Sequence, residues 1–230
     1  MSAHEPPRLN RISLFAGVPG ETLAALERQV HEVTIPAGTQ VVSAAQPGEA
    51  VYFVLEGKVR VFLEQPDGSA VTFAFLGPGD LFGEMSVVDE TLRSASAATV
   101  EKSTLLWMDR ATFQRSLRDL PAVALNLVRE LSARLRKANE QIQALATLDV
   151  AGRVVRQLLA LADQYGESDA AGRRHIPLPL TQSDIADMVA ATRERVNRVM
   201  VALGQEGALR AEPDHHITLL DEELLARHLG

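Results

Sequence analysis

The sequence predicts an α+β chain in three parts: an N-terminal antiparallel β-barrel of the jelly-roll kind, one long helix, and a C-terminal domain of short helices closed by a hairpin. Three patterns predict it. Between His31 and Met108 short apolar runs alternate with Gly- and Pro-containing turns, as in a small closed sheet. From Ala124 to Leu145 apolar residues recur with a seven-residue period. After Asp149 amphipathic stretches give way to two short β-like runs about a turn. These changes of pattern place the boundaries at 1–119, 120–148 and 149–230.

In the first part, Val51–Leu55 is a continuous apolar run that Gly57 ends. Val59, Val61 and Leu63 then alternate with Lys58, Arg60 and Phe62. Pro66-Asp67-Gly68 reads as a turn, and Val71, Phe73 and Phe75 alternate after it. Gly77-Pro78-Gly79-Asp80 is a further turn, and a few helical turns are expected earlier, around Glu21–Val30. In the second part Pro121 suits a helix start. Ala124, Val128, Leu131, Leu135, Ala138, Ile142 and Leu145 then step 4-3-4-3-4-3, a heptad stripe. A helix of about 25 residues, roughly 38 Å, overruns a small domain. It either packs along its own barrel or forms a parallel dimer seam, and the regular period favours the seam. In the third part Asp149 is an N-cap residue for a helix over Val150–Ala162. A polar loop, Gln164–His175, follows, then Ile176–Leu180, two short helices, a hairpin around Ala208–Leu219 with Glu212-Pro213-Asp214 at its tip, and a last helix near Asp221. Helix, helix, hairpin is the order of a winged helix-turn-helix.

Composition narrows the function. With 230 residues, 46% hydrophobic and 23% charged, the chain can bury one large or two ordinary cores. Its apolar runs fall well short of the ~20 residues of a membrane span. The polar start Met1–Asn10 lacks the apolar centre of a secretory signal, so a cytoplasmic location is expected. The absence of cysteine excludes disulfides, thiolate zinc, iron–sulfur ligation and thiol nucleophiles. Aromatic residues are only 4%, which argues against a base-stacking RNA surface. The net charge of −7 argues against a general polyanion binder, but DNA feels the local field. Residues 151–230 carry 9 Lys+Arg and 12 Asp+Glu, yet Thr192–Arg210 holds Arg193, Arg195, Arg198 and Arg210 against Glu194 and Glu206. Such a basic island fits a specific DNA reader.

Two stretches carry chemistry. In Phe82-Gly83-Glu84-Met85-Ser86, Gly83 lets a ligand approach the backbone, and a helical turn from Met85 to Val88 directs free N–H groups at an anion. Nine residues after Glu84, Arg93 supplies paired donors for phosphate and Ser94 a hydroxyl, while the Glu84 carboxylate can accept from a sugar hydroxyl. One anion clamp beside one hydroxyl clamp reads as a nucleotide site; the alternative is a surface pair between Glu84 and Arg93. In LTQSDIADMVAATRERVNRVMVALGQEG, from Leu180 to Gly207, Thr181 caps a first helix with Asp184 three residues on, and Ala190-Ala191 makes the turn. Thr192 caps a second helix whose inner face is Val196, Val199, Met200 and Leu203. Arg193, Glu194, Asn197 and Arg198 then lie outward near its start, where a recognition helix meets base edges. Arg193 and Arg198 suit guanine O6/N7 and Glu194 suits cytosine N4. Gln182 and Thr192 are placed for phosphates, which set register.

Val51–Val61 (VYFVLEGKVRV), Gly77–Glu84 (GPGDLFGE) and Arg93-Ser94-Ala95 together resemble the cyclic-nucleotide-binding domain. The resemblance implies that Glu84 holds the ribose 2′-hydroxyl and that Arg93 and Ser94 hold the cyclic phosphate, with Gly83 and Met85 in the same cassette. Leu180–Gly207 resembles the helix-turn-helix of the cyclic-AMP receptor and FNR family of bacterial transcription regulators, and the likeness spans nearly the whole chain. It implies a barrel of cyclic-nucleotide-binding type, a dimerisation helix over 120–148 and a winged helix-turn-helix. It further implies cyclic AMP as effector, double-stranded DNA with a TGTGA-like inverted repeat, a homodimer, and RNA polymerase as partner. Arg134 matches a family arginine on the long helix. One turn further the cyclic-AMP receptors read the purine with a Thr-Ser pair; here Ala138 and Asn139 stand there, and Asn139 alone can donate and accept.

No enzyme or metal site is expected. A metal-dependent barrel enzyme needs clustered histidines, and residues 32–108 contain none. His215 and His216 are neighbours at the hairpin and point to opposite faces. Trp107 reads as a core aromatic. Three readings stay open: a regulator gated by cyclic AMP, the same regulator with an idle pocket, and a nucleotide-binding regulatory subunit of an enzyme.

Overall fold

A computed structural model describes residues 7–66 and 70–229; the first six residues and the Asp67-Gly68 part of the expected turn lie outside them. The chain divides into two compact units, residues 1–136 and 137–230, each taken by itself.

The first unit begins with two 3₁₀ turns, Arg8–Arg11 and Ser13–Phe15, and helix α1 (Gly20–Glu27). Eight strands follow: β1 (His31–Ile35), β2 (Gln40–Val42), β3 (Ala50–Glu56), β4 (Val59–Glu64), β5 (Ala70–Leu76), β6 (Leu81–Phe82), β7 (Ser96–Thr99) and β8 (Ser103–Asp109). They form two antiparallel four-stranded sheets, β1-β8-β3-β6 and β2-β7-β4-β5. Val54, Val59, Leu76, Phe82, Ala97 and Leu105 pack between the sheets. Val51, Phe53 and Leu55, the alternate residues of β3, face a second core with Leu9, Phe15 and Phe113. Burial on both faces explains why β3 reads as an unbroken apolar run.

Helix α2 (Glu84–Val88) sits between β6 and β7, and α3 (Arg110–Asp119) follows β8, capped by the Asp109 carboxylate on Thr112 N at 2.7 Å. Helix α4 runs from Pro121 to Thr147, roughly 40 Å. Val123 and Leu127 are buried in the second core and Leu131 packs against it, so Leu131 belongs to the barrel side of the helix. Of the other stripe residues Ala124 is half-buried and Ala138 exposed, and the large side chains Val128, Leu135, Ile142 and Leu145 are 59%, 63%, 64% and 50% exposed.

Two sequence expectations in this unit are corrected. The alternation of Val71, Phe73 and Phe75 fails, because the register slips between Val61↔Ala74 and Phe62↔Thr72. This bulge adds a residue to β5, leaving Val71 and Phe73 exposed and Thr72 and Phe75 buried. Trp107 is not a core residue; it is half-buried beneath His31, the ring centroids 4.4 Å apart.

The second unit continues with α5 (Val150–Tyr165), whose N-cap Asp149 accepts from Gly152 N at 2.8 Å. Strands β9 (Glu167–Ser168) and β10 (Arg174–Ile176), helices α6 (Gln182–Val189) and α7 (Arg193–Gln205), strands β11 (Leu209–Ala211) and β12 (Ile217–Leu219), helix α8 (Glu222–Ala226) and a 3₁₀ turn (Arg227–Leu229) complete it. The sheet order is β11-β12-β10-β9. The stretch expected as a polar loop, Gln164–His175, is therefore partly sheet: Asp169 accepts from Ala171 N and Arg173 N, and Gly172 turns at φ +78°, which folds β9 back on β10. Val154, Leu158, Ile185, Val196, Met200 and Leu203 are buried, while Val199 is only half-buried.

Gly57, between β3 and β4, adopts φ +84°, and a Cβ there would lie 2.7 Å from both Lys102 O and Ser103 Cα. Backbone cannot give way as a side-chain tip can, so Gly57→Ala is expected to cost about 2–3 kcal/mol. Denaturant unfolding should show a lower midpoint at unchanged slope.

Candidate functional site

In the first unit the chain turns from β6 into α2 through Gly83, at φ +81°. A Cβ on Gly83 would stand 2.3 Å from Arg93 Nη1, so this position is glycine for its backbone and for the arginine passing it. Arg93 is 7% exposed. Its Nη1 donates to Gly83 O (2.6 Å) and Ser86 Oγ (3.0 Å), and its Nη2 to Ala50 O (2.7 Å). All three acceptors are uncharged, and among the described residues no carboxylate is ion-paired with Arg93. Burial pulls its pKa down, and the nearby Tyr52 and Glu84 work the other way. A guanidinium carries five N–H donors, so Nε and one Nη2 hydrogen stay uncommitted to these three acceptors. The result is a cation held in place by neutral groups, where an anion gains most.

Glu84 opens α2 and is 2% exposed. Its Oε1 accepts from Arg134 Nη1 at 2.9 Å; Arg134 also donates to Leu81 O (2.6 Å) and Glu130 (3.2 Å). The alternative of a Glu84–Arg93 surface pair is thus replaced: both side chains are buried and Glu84 takes its partner from α4. Ser94 and Met85 are exposed side by side, Ser94 Oγ 4.0 Å from Met85 Sδ. The structure brings Gly83, Glu84, Met85, Arg93, Ser94 and Arg134 together. Asn139 is exposed on the part of α4 that belongs to the second unit. Ser86, Gly48 and Ala50 were not foreseen. Gly48 lies where a Cβ would reach within 2.1 Å of Ser86 Oγ, a tertiary contact with no sequence signal.

In the second unit the capping box of α6 is complete, the Thr181 and Asp184 side chains each accepting from the other's backbone N–H. Ala190 takes a left-handed conformation (φ +49°, ψ +56°) and starts the turn; Thr192 caps α7, its Oγ1 accepting from Arg195 N at 3.4 Å. Arg193, Glu194, Asn197 and Arg198 are exposed as the pattern required, and so is Arg195, which the outward-face reading passed over. Gln182 Nε2 donates to Asn197 Oδ1 at 2.8 Å. Its own backbone N–H at the helix start holds the Glu194 carboxyl below the usual range, helped by Thr192, Arg193 and Arg198.

Charge pairing separates the arginines of this unit. Arg156, Arg173, Arg174 and Arg210 are ion-paired with Glu140, Asp169, Asp163/Glu222 and Glu212. Arg210 therefore leaves the basic island. Among the described residues Arg193, Arg195 and Arg198 are in no ion pair, so the first turns of α7 present three solvent-facing cations together.

The described residues contain no group of His, Asp or Glu able to hold a metal ion. No helix among them is long and apolar enough to cross a membrane.

Burial pushes the Glu84 carboxyl above its ordinary value, chiefly against Arg134, which lowers it. A carboxyl raised in the folded state binds its proton more tightly folded than unfolded. Its contribution is therefore fully present below the ordinary glutamate pKa (~4.3) and is lost as pH rises through the raised value. Urea unfolding of wild type and Glu84→Gln across that interval should give a stability difference, wild type minus variant, that falls with pH. A difference that climbs instead would mean that Arg134 outweighs burial.

Two family models match the chain: the cyclic nucleotide-binding domain over residues 32–119 and the Crp-like helix-turn-helix domain over residues 152–228. A CRP-like cAMP-activated global transcriptional regulator of Mycobacterium tuberculosis is 36% identical over 219 residues, 95% of this chain and 97% of the relative. The cyclic AMP receptor protein of Thermus thermophilus is 37% identical over 87% of this chain and 89% of its own. The solved structure of FixK2 from Bradyrhizobium japonicum shares the fold with a TM-score of 0.76 at 24% identity, over 87% of this chain and 98% of that one. With barrel, long helix and helix-turn-helix in that order, the chain belongs to the Crp/Fnr family of transcription regulators.

Proposed function

We propose that the chain is a homodimeric regulator that binds a TGTGA-like inverted repeat in double-stranded DNA and is gated by cyclic AMP. It acts in the cytoplasm with RNA polymerase as partner and catalyses no reaction. In this reading 1–119 is the nucleotide domain, 120–148 the dimerisation helix and 149–230 the DNA-binding domain. The observation that carries it is Arg93, a buried guanidinium with neutral acceptors on one side and donors left over.

The residues present fit a cyclic nucleotide. The missing Cβ at Gly83 lets the Arg93 guanidinium lie directly against the turn into α2, which holds its spare donors in place for an anion. Arg93 and Ser94 would hold the cyclic phosphate and Glu84 the ribose hydroxyl, beside Met85. When bound, the nucleotide supplies the missing anion. Arg134 stands on α4 and already grips Glu84, so a change at Glu84 is felt by the long helix. Asn139 supplies the one polar side chain at the two purine-reading positions. A ligand shifts the balance between DNA-competent and incompetent dimers only by its differential affinity for them. The open row Val128, Leu135, Ile142 and Leu145 supports pairing of two chains along α4. On DNA, Arg193, Glu194, Asn197 and Arg198 would meet bases, and Gln182 and Thr192 phosphates.

The deciding experiment is fluorescence anisotropy on a TGTGA-type palindrome with and without cyclic AMP. Gating predicts tighter binding with the nucleotide; equal binding in both arms would favour the idle pocket. Arg93→Ala should abolish nucleotide binding by calorimetry, and an unchanged titration would remove the phosphate clamp. Arg193→Ala should lose roughly 1–3 kcal/mol on the palindrome and keep its non-specific binding.

A further inference from the structure

We propose that Arg153 is a positioning residue, the clamp that fixes the turn of the helix-turn-helix to the end of α4. Its Nη1 donates to Leu148 O at 3.0 Å, directly after α4. Its Nε donates to Val189 O at 2.9 Å and its Nη2 to Ala190 O at 3.5 Å, the carbonyls where α6 ends and the chain turns. Those carbonyls lie past the reach of any N–H within α6, and a cation there also meets the negative end of that helix. Arg153 differs from the ion-paired arginines of its unit in that its three acceptors are all backbone carbonyls. Because the guanidinium is planar, its three acceptors are held in one fixed arrangement, which a lysine cannot reproduce.

The consequence runs along the chain. Two residues beyond Ala190 stands Thr192, the cap of α7, and then Arg193 and Glu194. A shift of Leu148 is passed through Arg153 to the start of the reading helix. Arg156 ties α5 in the other direction, to the Glu140 backbone and carboxylate on α4. The first two turns of α5 are thus a bracket between the long helix and the DNA-reading turn. This rests on the reading that two chains pair along α4. Two reading helices must enter successive grooves ~34 Å apart, so an orientation error counts on a paired site and is tolerated on a single one.

The test compares wild type, Arg153→Gln and Arg153→Lys. Anisotropy is measured on the inverted repeat that wild type selects from random DNA and on one half of that repeat. Salt is held equal, and the nucleotide condition is the one giving wild type its tightest binding. Arg153→Gln should lose roughly tenfold more on the repeat than on the half-site, the size expected for two or three lost hydrogen bonds. Arg153→Lys should fall between it and wild type. Loss of stability alone lowers both affinities together, so equal losses on the two DNAs overturn the proposal. Thermal unfolding checks that the variants are folded at the assay temperature; if Arg153→Gln is not, the Lys variant decides by the same ratio. Should wild type select only single half-sites and sediment as a monomer, the paired reading fails and the clamp proposal with it.

Discussion

Arg93 is buried, and among the described residues no carboxylate is ion-paired with it. Leaving an ion in that state is among the costlier things a fold can do, several kcal/mol even after relaxation. The protein offsets the cost with three short bonds to Gly83 O, Ser86 Oγ and Ala50 O. Each of those acceptors makes its own demand. Gly83 must be glycine because Nη1 passes where its Cβ would be, and Gly48 must be glycine so that Ser86 can stand beside the guanidinium. The turn into α2, the start of β3 and the approach to β7 are therefore organised around one side chain. Glu84, one residue from Gly83, is also buried, but turns to Arg134. Glu84 and Arg93 act on each other's charge yet make their hydrogen bonds with different partners, which is the arrangement the proposed nucleotide site would use.

Much of this was legible in the sequence where local chemistry decides. The Asp149, Thr181 and Thr192 caps and the continuous helix of α4 depend on residues a few places apart, and the structure shows each, although Leu131 leaves the seven-residue stripe for the barrel core. The apolar run of β3 was legible as a run, but not that it divides its side chains between two cores. What failed was whatever depends on distant partners. The bulge in β5 is set by pairing with β4 and reverses the face of Phe73, which no period within β5 announces. The short strands β9 and β10 form because β12 offers an edge and Asp169 closes the turn between them.

The candidate site divides in the same way. Gly83, Glu84, Arg93 and Ser94 were found because their residue types and spacing carry the chemistry. Their pairing was not, since Glu84 finds Arg134 fifty residues away and Arg93 finds Ala50 forty-three residues back. In the helix-turn-helix the exposed residues followed from helical geometry alone. Arg195 was missed because only one outward arc was counted. Arg210 was included wrongly because a charge count along the chain does not see Glu212 beside it.

That last point explains how an acidic chain can present a surface to DNA. Beyond about 8 Å at physiological salt, charges on a surface are largely screened, so a phosphate responds to the few groups nearest it rather than to the net −7. In the second unit, acidic side chains are drawn onto Arg156, Arg173, Arg174 and Arg210, and Arg153 faces backbone carbonyls. Each of these pairings takes a cation out of the surface field and ties two parts of the chain together. Arg193, Arg195 and Arg198 keep their charge to the solvent at the start of α7, where the helix dipole adds to it. The same residue type thus does two jobs. Ion-paired or carbonyl-bound, it holds the domain together; unpaired at the start of α7, it leaves a positive patch, the one the proposed DNA contact would use.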